Sequence, residues 1–280
     1  MKKLSLAILF ISVTQALSAQ FYYNDLLQHQ QHLDRHKQYK AQKVTRIEAR
    51  SSADKDAPGV EPLMVEQSYN ASYSQLKSRA SNVTGKSATT NYYNPQGLLY
   101  KTVDSSEASV TTYDYQYQEG NQLVRIMSTS VPMGQKIKTI ETHQWIYDST
   151  GKPVKMIRVR DQYDSSEIAL HYDAQGRVAD EQIYRKAVGG EKTFYYYDDA
   201  GRLTDIVRYQ EKLGKLMPDF TFDYDGEGRL LQMMVVQNGG MNYQTWRYAY
   251  NTQGFLRTES CYNREKKLVG KVEYTYELKR

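Results

Sequence analysis

The sequence predicts an all-β chain: a long meandering antiparallel sheet of hairpins, curved or coiled, with a short N-terminal helix. Three observations carry this. A seven-residue unit recurs, written YDAQGRV at 172–178, and again from Tyr197-Asp198 and from Tyr224-Asp225. The units follow one another at roughly 25 residues, the length of two strands of about nine residues with their turns. The segments between them alternate aromatic with polar residues, the signature of a sheet covered on one side.

At the N-terminus, Lys2 and Lys3 precede an apolar run from Leu4 to Val13 and the small residues Ser18 and Ala19. This reads as a cleaved secretory leader over 1–19, too short for a membrane span. The protein is therefore expected in the periplasm or outside the cell, with no later segment long enough to cross a bilayer. Loss of the two lysines takes 37 basic residues to 35 against 32 acidic ones, a net charge of +3. Such a balance argues for neither a nucleic-acid partner nor a membrane surface. Cys261 is the only cysteine of the 280 residues, so no disulfide can form within the chain.

Residues 20–42 form a helical segment, with a helix expected from Asn24 to Lys40. Asn24 is placed to cap it, and Leu26, His29, Leu33 and His36 fall on one stripe. His29, His32 and His36 lie within about 60° of arc, which suggests a metal site. With Asp25 the one further ligand nearby, a packing stripe is the stronger reading and no metal is expected. Residues 43–91 read as degenerate strands leading into the sheet, with alternation over 43–50 and 60–68 separated by the polar loop SSADKDAPG.

The repeat domain spans 92–280. Its marker tyrosines are Tyr93, Tyr117, Tyr147, Tyr172, Tyr197, Tyr224 and Tyr250, spaced by 24, 30, 25, 25, 27 and 26 residues. After each comes a turn whose first residue can accept backbone N–H bonds and whose glycine takes a left-handed conformation: Gly97, Gly151, Gly176, Gly201, Gly228 and Gly254. In the second unit Gly120 comes one residue early, and Asn121 must serve that position. A three-residue loop pairs each tyrosine with the residue six positions on, Tyr172 with Val178 and Tyr197 with Leu203. On the opposite face it pairs Asp173 with Arg177, Asp198 with Arg202 and Asp225 with Arg229. About fourteen such strands exceed what an open twisted sheet sustains, so the sheet must coil, fold over or curve.

The Tyr-Asp-x-x-Gly-Arg-Val/Leu units resemble the YD repeats of Rhs and related bacterial toxin shells, and the chain is most similar to the short exported members of that group. The resemblance implies a wound, meandering β-sheet over about residues 92–280. It also carries the implication of a toxin-shell relative, although the chain has too few units to enclose a cargo and ends on a strand-like VEYTYELKR.

No motif for nucleophilic, phosphate-binding or metal-dependent chemistry occurs, and no catalytic residue or cofactor is assigned. Cys261 reads as a partly buried strand thiol, with no base and orienting partner that the sequence places beside it. The same pairing places Lys155 opposite Trp145 and Asp205 opposite Tyr195 on the aromatic face, with Asp180 in the same position of its unit. Together with Trp246 and Tyr248 these form the candidate ligand surface, suited to stacking a glycan or docking an envelope or secreted protein. The expected function is thus a non-enzymatic exported binding or scaffold module. The alternative is an assembly protein that adds partner strands to free sheet edges such as Tyr274 to Leu278.

Overall fold

The computed structural model describes residues 21–52, 63–82, 85–237 and 242–279. The leader at 1–19 and most of the 51–59 loop lie outside the described residues. The first element is helix α1, Asn24–Ala41. Strands β1 Val44–Ser52, β2 Met64–Tyr69, β3 Gln75–Asn82 and β4 Gly85–Tyr93 follow. Then come β5 Leu99–Ser106, β6 Ser109–Tyr117, β7 Leu123–Pro132, β8 Thr139–Tyr147, β9 Pro153–Arg160, β10 Asp164–Tyr172 and β11 Val178–Arg185. The chain continues through β12 Val188–Tyr197, β13 Leu203–Gln210, β14 Lys215–Tyr224, β15 Leu230–Gln237, β16 Asn242–Tyr250, β17 Leu256–Tyr262 and β18 Leu268–Leu278.

Each strand pairs antiparallel with its neighbours in sequence, and β1 pairs with both β2 and β18. The sheet is therefore a closed up-and-down barrel of eighteen strands, not the curved open sheet of about fourteen that the periodicity suggested. Closure removes the edges. The segment Tyr274 to Leu278, expected to be free, is paired along β1, with Tyr274 opposite Ala49 and Leu278 opposite Val44. The strand-addition reading loses its edge.

The tyrosine turns stand on one rim, here called proximal; the other hairpin tips form the distal rim. All seven tyrosine pairs form as the offset of six requires, from Tyr93 with Leu99 to Tyr250 with Leu256. In the turn at 172–178 the Asp173 carboxylate accepts from the backbone N–H of Gln175 and Arg177 at 3.0 and 2.8 Å, while its second oxygen holds the Arg177 side chain at 2.7 Å. Gly176 sits at φ +77°, a conformation side-chain-bearing residues rarely adopt. In the unit with the early glycine, Asn121 takes φ +62°.

The repeat also joins each hairpin to the one before it. The hydroxyl of Tyr117 donates to the carbonyl of Leu99 at 2.5 Å, Tyr147 to Leu123 at 2.7 Å, and Tyr197 to Val178 at 2.9 Å. Tyr172 to Pro153, Tyr224 to Leu203, Tyr250 to Leu230 and Tyr276 to Leu256 complete the series. Over these rings lie the cations of the preceding turn, Arg177 4.8 Å from the Tyr197 centroid and Arg202 4.8 Å from that of Tyr224. Tyr197→Phe should therefore lower stability by about 1 kcal/mol through one lost hydrogen bond. A urea midpoint that falls with unchanged m-value would verify it.

A bulge accompanies every tyrosine turn. His171 faces Asp180 but Tyr172 faces Val178, leaving Ala179 as the extra residue, and the same shift recurs in the other units. One extra residue exchanges the two faces of all that follows on that strand. The fourth residue after the turn glycine therefore points outward and the fifth inward. An eighth turn of this type, unread in the sequence because it lacks glycine, joins β17 to β18 on the distal rim: Tyr262 faces Leu268, and Lys266 takes φ +60°.

Helix α1 lies inside the barrel. A circular cylinder of eighteen strands would be on the order of 30 Å across, and a helix of 18 residues is about 27 Å long. It can thus cross the lumen from wall to wall. Its N-terminal approach, Phe21 to Tyr23, packs with Leu26 into a core built from Trp145, Met156, Ile168, Leu170, Val178, Tyr195, Ile206, Phe220 and Val235. At its other end Tyr39 packs with Val44, Ile47 and Phe255.

Candidate functional site: a helix-plugged lumen

The plug is fastened first at its N-terminus. Asn24 is the first helical residue and not the cap; Tyr23 occupies the cap position without a side-chain bond of its own. The acceptors come from the wall. Glu181 on β11, 1% exposed, takes the backbone N–H groups of Tyr22 and Tyr23 on its two oxygens, each at 2.7 Å. A carboxylate at a helix N-terminus satisfies orphan donors and complements the helix dipole. Burial raises the Glu181 pKa to about 7, even though these two hydrogen bonds favour the charged form.

A second fastening is ionic. His143 on β8 bonds Asp25 of α1 through Nδ1 at 2.6 Å and Glu141 through Nε2 at 3.0 Å. Glu141 in turn holds the buried Arg158 at 2.7 Å, which also reaches Asp164 at 3.0 Å. Burial opposes charge on His143, yet the carboxylates of Asp25 and Glu141 raise its pKa to about 9. Burial likewise opposes the charge on Glu141, but hydrogen bonds from His143 and Arg158 bring its pKa down to about 2. With both nitrogens bonded to carboxylates, His143 is a structural cation.

The three helix histidines diverge onto separate tyrosines. His29 Nε2 bonds the Tyr117 hydroxyl at 3.0 Å, His32 Nε2 that of Tyr93 at 2.7 Å, and His36 Nδ1 that of Tyr69 at 3.1 Å. The His36 ring stacks on Tyr93 with centroids 3.6 Å apart. Burial brings the pKa values of His29, His32 and His36 down to about 4, 3 and 4. They are neutral packing groups at pH 7.

The seven residues expected to form a ligand surface divide between two faces. Trp145, Tyr195, Trp246 and Tyr248 point into the barrel, where Trp145, Tyr195 and Tyr248 are buried. Lys155, Asp180 and Asp205 do not share that face. Trp145 faces Met156 and Tyr195 faces Ile206, while Lys155 lies opposite Ile146, Asp180 opposite His171, and Asp205 opposite Tyr196. The bulge is the cause. Lys155 pairs with Glu167 at 2.9 Å and Asp180 with Lys192 at 3.1 Å on the outer wall. The same shift turns Glu181 and Glu259 inward. Glu259, buried, accepts from the Tyr274 hydroxyl at 2.9 Å, and burial raises its pKa to about 7. Neither glutamate carries a sequence signal except as the fifth residue after its turn glycine.

The inner wall of β4 to β7 is polar. Along β4 to β7 the inner wall carries Thr89, Asn91, Asp104, Thr111, Tyr113, Ser128 and Ser130, all partly exposed although they face inward. Cross-strand bonds organise them: Thr102 donates to Asn91 at 2.8 Å, Thr89 to Asp104 at 3.2 Å and Thr111 to Ser130 at 3.0 Å. The opposite wall, from β8 to β15, holds the apolar cluster on which Phe21 to Tyr23 and Leu26 pack, together with the buried Arg158 and Glu181 and the ion pairs of His143 and Glu141. Hydroxyls, an amide, a carboxylate and a phenol thus share one partly exposed stretch of the inner wall. Cys261 faces Trp246 and Gly270, fully buried, and burial raises its thiol pKa to about 12. It is a packing group.

The outer wall carries ion pairs at several places: Lys155 with Glu167, Asp180 with Lys192, and, where β18, β1 and β2 meet, Arg46 with Glu48, Glu66 and Glu277 within 2.7 to 3.3 Å. Among the described residues no helix is long and apolar enough to cross a membrane.

No family model matches the chain, and no curated protein matches it. Among solved structures, a porin-like protein from Bacteroides uniformis is similar over 84% of this chain and 98% of its own, at 13% identity and a TM-score of 0.39. A DUF1329 family protein from Desulfovibrio piger is similar over 87% of this chain and 88% of its own, at 7% identity and a TM-score of 0.22. Similarities of this size carry no functional argument. What the chain itself displays is an all-β barrel, closed by eighteen antiparallel strands and crossed by its own N-terminal helix.

Proposed function

We propose that this protein is an exported, non-enzymatic binding barrel that takes a glycan into the open half of its lumen. The observation that carries the reading is the inner wall of β4 to β7, polar and only partly buried, opposite a wall whose side chains are taken up by an apolar cluster and by ion pairs. Hydroxyl, amide and carboxylate groups in a concave site suit the many donors and acceptors of a sugar, and the Tyr113 ring offers a stacking face. Such a wall favours a polyhydroxylated ligand over a protein partner. Export is supported by Lys2, Lys3, the apolar run behind them and Ser18-Ala19. The Tyr-Asp-x-x-Gly-Arg units support a place among short exported YD-repeat proteins. A binding rather than catalytic role is supported by the engagement of His143 on both nitrogens and the burial of Cys261.

The test is titration of the protein with malto-, cello-, xylo- and chito-oligosaccharides, followed by calorimetry and by tryptophan fluorescence. Asp104→Ala and Tyr113→Ala should each weaken binding about tenfold or more through lost hydrogen bonds and stacking, while the circular dichroism spectrum shows the barrel still folded at the temperature of the titration. Affinity for none of these sugars, or equal affinity in both variants, would refute the proposal.

A further inference from the structure

The two rims of the barrel differ in chemistry. Proximal tips are small or polar, such as Ala174-Gln175 and Thr252-Gln253. On the distal rim four consecutive hairpins, from β7–β8 to β13–β14, hold large apolar side chains out in water. Ile137 is 79% exposed, Tyr163 89% and Val188 71%, each from a different hairpin, and Leu213 projects from the fourth. Just below that fourth tip Tyr209 and Leu216 face each other, also exposed.

Basic residues are interleaved with these tips. Lys136 and Lys138 flank Ile137, Arg185 and Lys186 lead to Val188, and Lys215 precedes Leu216, all exposed. The acids of the same hairpins are Asp161, Asp164, Glu191 and Glu211, of which Asp161 accepts from the backbone N–H of Ile140 at 2.8 Å, Asp164 pairs with Arg158 at 3.0 Å and Glu191 pairs with Arg208. The distal crown is therefore apolar at its points and net positive around them.

We propose that this crown is a peripheral membrane-docking surface that seats the distal rim on an anionic lipid leaflet. Separate protruding side chains present no flat or concave face for a rigid partner. A fluid bilayer interface accommodates each of them without shape complementarity, and its anionic headgroups match the lysines. Insertion stops near the rim, because the wall above carries ion pairs such as Lys155–Glu167 and Lys192–Asp180 that would be costly in hydrocarbon. Docking does not depend on what the lumen binds.

The experiment is co-sedimentation of the exported chain with phosphatidylcholine vesicles with and without phosphatidylglycerol. Binding is expected to the anionic vesicles and to weaken several-fold in high salt. The triple variant Ile137→Ser, Tyr163→Ser, Val188→Ser should weaken it at least about tenfold while the circular dichroism spectrum is retained, since three apolar groups no longer leave water. Lys136→Glu with Lys138→Glu and Lys186→Glu should reduce binding to the anionic vesicles alone. Three results would each overturn the proposal: no partition of the wild-type chain, unchanged partition of the serine variant, or a wild-type dimer that the serine variant dissociates, which would make the crown an interface between copies.

Discussion

Glu181→Ala is expected to destabilise the protein by about 2 to 5 kcal/mol, because it leaves two buried N–H donors at the start of α1 without acceptors. The side chain sits on the wall, yet the loss falls on the plug, since both of its oxygens serve the backbone of Tyr22 and Tyr23. Glu181→Gln retains one acceptor oxygen and should cost about half as much. Urea denaturation of the three proteins gives the ranking. Amide exchange locates the effect, with protection expected to fall across Tyr22 to Leu27 before it falls in the strands. Equal stability of the alanine variant and the wild type would mean that α1 is not held by this carboxylate.

Stability should trace a dome against pH, with its summit near pH 6 and losses of several kcal/mol on either side, each unit of pKa displacement being worth about 1.4 kcal/mol. On the acid side, His29, His32 and His36 have folded values of about 4, 3 and 4, below their ordinary 6.5. The unfolded chain then takes up protons first, so their contribution is complete above pH 6.5 and is lost as the pH falls toward 4 and 3. Glu141, lowered to about 2, adds a loss between pH 4.5 and 2.

The alkaline limb has the opposite sign. Glu181 and Glu259, raised to about 7, favour the fold below pH 4.5 and lose that contribution as the pH rises to 7. His143, raised to about 9, contributes fully below pH 6.5 and loses its share between 6.5 and 9. Between 4.5 and 6.5 the histidines and the two glutamates oppose one another, which sets the summit. Urea midpoints across pH 3 to 9 measure the curve, with Trp145 beside the plug as reporter. In the variant His29→Gln, His32→Gln, His36→Gln the acid limb should flatten; an undiminished acid limb would assign it to other groups.

The hairpins were legible because a turn is a local event. The acid at the first position, the glycine at the left-handed site and the offset of six all act within seven residues, and every Tyr–aliphatic pair forms as they require. The helix was equally legible from its stripe. The ligand surface was not, because it rested on counting alternation through a bulge: one extra residue at Ala179 sent Asp180 outward and Glu181 inward. The eighth turn escaped because Lys266 serves where glycine was sought.

By itself, then, the sequence determined the antiparallel hairpins, their tyrosine register, the α1 stripe and the ion pairs of the turns, all set by residues near one another along the chain. Tertiary structure alone decided that β1 meets β18, that the sheet closes without edges, and that α1 lies inside it on Glu181, His143 and three tyrosines. Those contacts join residues up to 234 positions apart, as Val44 and Leu278 are, and depend on the summed twist and bulges of eighteen strands, which no local pattern encodes.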